Sequence, residues 1–407
     1  MLFTVRKEMS KQTLMIYQIT KKLMQATALL LTPIFLFCGC DIPKIENTTI
    51  YNQYTEEATS DLNVLITNLG KPFEQSYRSN NAKNPWDMII YDGKLFIGSG
   101  DYDKNTGSCQ VACYDLQSRE FSLDTLPDEI ITKFTILNKN LYAPGIDPTD
   151  SWDLGNYYVY ANGGWEVHRY IPNGIHTFSL AEFEGKIFAA LGTEEGLYPV
   201  TCAELGQNNF HFVPFYKNGT ASPVSDSAKD RVYDLFVLND RLFAFKTSDE
   251  CQVFLYQKNR FEYYDSWLYK ITFPQVDFLK NLQDLGGFFS SVTHENIYYF
   301  TTGYLFKTTD GKNVEYLSLD GSQYVLDLYQ NKENLYALGV SKTENGDYIS
   351  TVYSIDGKNV RCLFSIREKT FAISLAVSDN DYYFGFGYSA YDSQISGSII
   401  KYTYNGD

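Results

Sequence analysis

Two stretches of the chain gather acids, amides and aromatic rings closely enough to do chemistry. The first is Gly98-Ser99-Gly100-Asp101-Tyr102-Asp103-Lys104-Asn105-Thr106-Gly107. Asp101, Asp103 and Asn105 alternate as the oxygen ligands that open a calcium loop do, so calcium is the one metal the sequence offers. Gly107 stands one place too late for such a loop, and Ala112 occupies the position that needs a bidentate Glu. An Asx-rich turn is the competing reading. The second stretch, from Pro144 to Asn156, combines Asp147, Asp150 and Asp153 with two prolines and Trp152. Carboxylates beside an aromatic plate suit sugar recognition, because rings stack on C–H faces while acids accept hydroxyl protons. Trp152 capping its own sheet edge is the alternative.

His176 follows in Tyr170-Ile171-Pro172-Asn173-Gly174-Ile175-His176-Thr177, near enough for neighbouring acids to orient it. Trp86, Lys133, Arg231 and Tyr324 stand at comparable starts of strands. The candidate ligand-binding set is therefore Trp86, Asp101, Asp103, Asp147, Trp152, Asp153, His176 and Arg231. No phosphate-binding glycine pattern, nucleophile elbow or zinc spacing accompanies them, and no residue is assigned as catalytic.

The elements that position these residues are strands in repeats. A strand, a tight polar turn and an aliphatic-aromatic pair opening a second strand recur at Leu95-Phe96, Leu141-Tyr142, Ile187-Phe188, Leu242-Phe243, Ile297-Tyr298 and Leu335-Tyr336. Tyr382-Tyr383 makes a seventh copy. The intervals are 46, 46, 55, 55, 38 and 47 residues. Turns such as Asp92-Gly93, Glu184-Gly185 and Asn239-Asp240 supply residues that tolerate positive φ, as tight hairpins require. Two further apolar runs per unit give four strands per repeat, the period of propeller blades. The expected fold is all-β, a seven-bladed propeller of four-stranded antiparallel blades. The last blade lacks its outer strand, and an orphan strand, Leu62–Thr67, lies upstream of the first repeat. Pairing that strand with Ser398–Tyr402 closes the ring and covers an open edge. Topology then puts Asp101, Asp103, Asp147, Trp152, Asp153 and His176 on one face, around the channel mouth.

Composition agrees with this reading. The 407 residues include 34 Tyr and 28 Phe, which favour pleated, half-buried surfaces. A formal net charge of −15 makes nucleic acid an unsuitable partner. Five cysteines, Cys109, Cys113, Cys202, Cys251 and Cys362, remain in the body at spacings that do not form a disulfide framework, and most are expected as small buried hydrophobes.

The first 40 residues differ from the rest. Arg6, Lys7, Lys11, Lys21 and Lys22 oppose one acid, Glu8, and an uncharged run from Leu23 to Cys40 follows. Broken by Pro33, that run suits a signal peptide better than a spanning helix. Its end, Leu36-Phe37-Cys38-Gly39-Cys40, resembles the lipobox of bacterial lipoproteins. The resemblance implies cleavage before Cys40, acylation of Cys40 and an extracytoplasmic body lipid-anchored to a bacterial membrane. The expected domains are residues 1–39 as signal peptide, 40–60 as polar tether and 61–407 as propeller.

Gly93-Lys94-Leu95-Phe96-Ile97-Gly98 followed by Tyr114-Asp115 resembles blades of kelch and galactose-oxidase-type propellers. Thr308-Thr309-Asp310-Gly311-Lys312-Asn313 and Ser354-Ile355-Asp356-Gly357-Lys358-Asn359 resemble Asp-boxes, the turn motif of sialidase-like propellers, whose closing Trp is absent here. These motifs imply a fold and no chemistry. The expected function is a membrane-anchored, monomeric binding propeller that recognises a carbohydrate or another cell-envelope component. A glycan-active hydrolase or lyase using these acids with His176 is one alternative, and an envelope protein–protein scaffold is another.

Overall fold

The computed structural model describes residues 48–50, 55–59, 64–101, 104, 106–192, 198–221, 231–246, 251–274, 289–332, 334–357, 359–388 and 393–404. All lie in one compact unit, Ile45–Asp407. The leader, the lipobox and Cys40 fall outside the described residues, as do Asp103 and Asn105 of the calcium-loop reading.

Seven sheets, antiparallel but for one strand pair in blade four, follow one another along the chain, each led by an inner strand. These inner strands are Met88–Tyr91, Thr135–Leu137, His176–Phe183, Val232–Val237, Ser290–His294, Tyr324–Asn331 and Ala372–Ser378. Each pairs with the strand opened by its aliphatic-aromatic pair, as in Leu235↔Ala244 and Leu328↔Ala337. The hairpins between them have the expected chemistry. Asp92-Gly93, Asn138-Lys139, Glu184-Gly185, Asn239-Asp240 and Glu295-Asn296 all hold both central residues at positive φ. That conformation matches the right-handed twist of the strands it joins.

The ring closes as the sequence predicts. Val64–Gly70 completes the seventh sheet by pairing with Ile399–Tyr404, with Leu65↔Thr403, Ile66↔Tyr402 and Thr67↔Lys401 in register. Within the segment read as a tether, two short strands lie on sheet edges. Thr48–Ile50 pairs with Phe121–Leu123 of blade one, and Thr55–Thr59 pairs with Val64–Asn68. Blade four gains a parallel strand, Phe215–Lys217, beside Arg260–Ser266, with Thr220–Ala221 paired outside it.

Apolar clusters between neighbouring blades hold the ring together. Phe96, Phe134, Tyr158 and Trp165 pack between blades one and two. Phe236, Phe245, Trp267 and Phe300 pack between blades four and five. The Asp-box-like turn of blade five shows how such seams are pinned. Asp310 accepts the amides of Lys312 and Asn313 at 2.7 Å each. The indole missing from the motif comes from the preceding blade, where Trp267 Nε1 donates to the Gly311 carbonyl at 3.2 Å. Cys109, Cys113, Cys202 and Cys251 are buried and Cys362 is exposed. No helix among the described residues is long and apolar enough to cross a membrane.

Candidate functional site

One register position of the inner strand recurs around the channel. Ser179 lies opposite Ala190, Asp234 opposite Phe245, Ser291 opposite Phe300, Asp327 opposite Leu338 and Ser374 opposite Gly385. Every partner stands three residues after the start of its aliphatic-aromatic pair. Asp87 takes this place in blade one, where its carbonyl accepts the Gly98 amide at 3.0 Å. Lys133, two residues before the Thr135↔Tyr142 pair, takes it in blade two. The channel thus carries a polar belt of three Asp, one Lys and three Ser.

A bulge precedes the belt residue in four blades, between Thr177 and Ser179, Val232 and Asp234, Val325 and Asp327, and Ala372 and Ser374. The extra residues are Phe178, Tyr233, Leu326 and Ile373. A bulge inserts one residue and re-aims its neighbours, so each blade presents an apolar side chain and then a polar one to the same space. Together with Trp86, Ile146 and Phe289, the bulged residues form an apolar collar, and the collar and every belt residue but Ser374 line a cavity of about 640 Å³.

Half of the belt is one closed network. Lys133 Nζ approaches Asp234 Oδ1 at 2.7 Å and Ser291 Oγ at 3.1 Å. Ser179 donates to Asp234 Oδ1 at 2.7 Å, while Ser291 and Tyr298 both donate to Oδ2 at 2.6 Å. Burial alone would raise the Asp234 pKa. The Lys133 charge and these donors outweigh burial and hold the carboxyl below its usual range.

The other half holds acid without a matching cation. Asp87 accepts the amides of Met88 at 2.9 Å and Phe134 at 2.5 Å. Asp327 accepts those of Leu328 and Leu375, both at 2.8 Å. Asp87 retains some exposed surface on the channel but sits deep in the ring. Burial, then the charge of Asp327, pushes its pKa up; burial does the same to Asp327. The bonds to Phe134 and Leu375 reach the next blade, so the same carboxylates also fix the spacing of the ring.

Above the collar, at the mouth, several predicted residues come together. Ile146 pairs with His176, which brings Asp147 Oδ1 to 2.9 Å from His176 Nδ1. The contact is short but is not aligned as a hydrogen bond. Arg231 Nη2 lies 3.4 Å from His176 Nε2. A guanidinium only donates, so Nε2 accepts and the ring proton of a neutral His176 belongs on Nδ1, toward Asp147. The Arg231 guanidinium also sits 5.8 Å over the Phe178 ring, and Phe178 stacks on Tyr233 at 4.5 Å. Gly192 makes this packing possible, since a Cβ there would lie 2.8 Å from His176 Cδ2. Glu129, beside this group, is raised to about 7 by burial and by the charges of Asp147 and Asp101. Trp86 is buried below, its Nε1 donating to the Gly100 carbonyl at 2.8 Å.

The remaining candidates do not join that mouth. Asp101 is sealed inside blade one, accepting from Ser79 Oγ at 2.9 Å and from the Lys104 amide at 3.3 Å. Trp152 is 60% exposed and Asp153 is exposed beside it, on a loop pinned by Arg169, whose Nη2 reaches the Ser151 carbonyl at 2.8 Å. Of the acids proposed for an acid–base pair, the three described ones, Asp101, Asp147 and Asp153, occupy three environments: a sealed blade, the channel mouth and an open loop. Among the described residues, no group of three or more His, Cys, Asp and Glu is placed to hold a metal ion. The sequence reading named Lys133 but passed over Asp87, Ser179, Asp234, Ser291, Asp327 and Ser374. Their one signal was a position eight residues before each aliphatic-aromatic pair, kept in every blade but the fifth, where Ser291 stands six before Ile297.

No protein-family model matches the chain, and no curated protein matches it. Among solved structures, the chain is similar to the crystal structure of Saccharomyces cerevisiae Sqt1, at 10% sequence identity and a TM-score of 0.46, over 80% of this chain and 97% of that one.

Proposed function

We propose that the chain is a binding propeller that takes a small polar ligand into its central channel, with the body held outside a bacterial cytoplasm by a lipid on Cys40. The supporting observation is the cavity of about 640 Å³, whose wall sets aromatic and aliphatic side chains above a polar belt. Ligand sites are concave, largely apolar and oriented by a few fixed polar groups, and this wall has that composition. Trp86 lines the cavity, so its fluorescence reports occupancy. Titration with oligosaccharides, polyols and small amines is expected to change the emission of the wild type and not that of Trp86→Phe. Silence across the whole panel would sink the proposal. For the anchor, fatty-acid labelling of the full chain is expected, with loss in Cys40→Ala.

A second reading follows from Trp152. An indole 60% exposed beside exposed Asp150 and Asp153 suits glycan stacking on the outer loop. Emission changes that survive Trp86→Phe and vanish in Trp152→Phe would move the site there.

A further inference from the structure

The charge on the channel wall specifies the class of ligand. The described charged residues around the cavity are Asp87, Glu182, Asp234, Asp327, Lys133 and Lys332. Lys133 is matched to Asp234 at 2.7 Å. Lys332 is highly exposed and lies 3.7 Å from Asp379. Asp87 and Asp327 accept backbone amides, and Asp327 a hydrogen bond from Ser290, but neither forms an ion pair; the Lys133 charge reaches Asp87 only as a minor influence against burial and the charge of Asp327. An anion entering the channel meets this acidic pair in a water-poor space and makes its ionisation costlier still, whereas a cation lowers the cost of ionising both acids.

The collar decides which kind of cation fits. Trp86, Phe178, Tyr233 and Phe289 contribute aromatic side chains to the cavity wall. Ring faces attract weakly hydrated organic cations that shed water at little cost. At the mouth such a pairing is already made within the chain, with the Arg231 guanidinium 5.8 Å over Phe178. A bare metal ion finds no set of three ligating side chains among the described residues.

Resting on the channel as the binding site, we infer that its ligand carries an organic ammonium group, held between the aromatic collar and the carboxylates of Asp87 and Asp327. Choline and its neutral isostere 3,3-dimethylbutan-1-ol have nearly the same shape and differ by one charge, so calorimetric titration of the full chain with both separates shape from charge. Choline is expected to bind at least tenfold more tightly. Asp87→Asn and Asp327→Asn are each expected to bring choline down toward the isostere while leaving the isostere unchanged, with thermal unfolding confirming that each variant is folded. Equal binding of the two probes would overturn the ammonium assignment and leave the channel site standing. Choline binding that persists in both variants would overturn the role of the carboxylates. Absence of binding by either probe would overturn the ammonium assignment, and the wider polyol and oligosaccharide titration would then decide whether the channel reading falls with it.

Discussion

Lys133 of blade two and Asp234 of blade four meet across the channel with Nζ and Oδ1 2.7 Å apart, although 101 residues separate them in the chain. Blade three lies between them and joins the pair through Ser179. The contact ties three blades at a single point. Removing one partner of a buried pair leaves the other charge uncompensated, at a typical cost of about 3–5 kcal/mol. Lys133→Met is expected to destabilise by that order, and Asp234→Asn by less, because the serines and Tyr298 can still donate to an amide oxygen. A double-mutant cycle by urea denaturation checks the coupling.

Stability is expected to fall as pH rises from about 4 toward 7. Burial raises Asp128 to about 7 against the hydrogen bonds of Tyr158 and Asn156, which act in the opposite direction. The folded state then keeps a proton that the unfolded state loses near pH 4. Asp128 contributes fully below that point, and its contribution disappears as pH passes through about 7. Asp234, with a lowered pKa, acts oppositely and loses its contribution as pH falls below about 4. Urea denaturation across this range is expected to show a maximum on the acid side of neutrality. Asp128→Asn should flatten the slope from pH 4 to 7, and an unchanged slope would remove Asp128 as its source.

The two tryptophans of the candidate set are expected to behave oppositely. Trp86 is buried in the collar, so Trp86→Ala leaves a cavity and costs about 3–5 kcal/mol. Trp152 projects from its loop, and Trp152→Ala is expected to stay within about 0.5 kcal/mol of wild type. Thermal unfolding of the two variants side by side is the measurement.

Ring closure is expected to be the most vulnerable seam to proline. Ile66 lies between Glu57 on one side and Tyr402 on the other. A proline there cannot donate to the ladder and is poorly tolerated in a strand paired on both sides. Ile66→Pro should expose the blade-seven edge and speed proteolysis within residues 372–404, whereas Thr48→Pro, in a three-residue edge strand, should not.

The blades were legible because their hairpins are local. Asp92-Gly93 or Asn239-Asp240 between alternating strands announces itself within ten residues. Closure was legible because one strand was missing at one end and one was spare at the other. The polar belt was harder to see. Asp234 in Val-Tyr-Asp-Leu-Phe-Val looks like an outward-facing polar residue, because the bulge before it interrupts the alternation that would place it on the channel side. Loop composition misled for a related reason. Asp101 and Asp153 both look exposed in sequence, but Ser79 folds back over the first and nothing covers the second. The Trp267–Gly311 bond crosses a blade boundary, and no motif confined to one repeat could show it.

The pairing of Val64–Gly70 with Ile399–Tyr404 also orders events in time. Six sheets draw all their main strands from neighbouring sequence and can form as soon as those strands exist. The seventh needs two segments from opposite ends of the propeller, and long-range pairing of that kind is slow because loop entropy is lost before contacts form. Until it forms, Ile399–Tyr404 presents an unpaired, aromatic-rich edge to any chain nearby. Aggregation during refolding should therefore track the lifetime of that last open blade, and a short peptide copying Val64–Gly70 should compete for it.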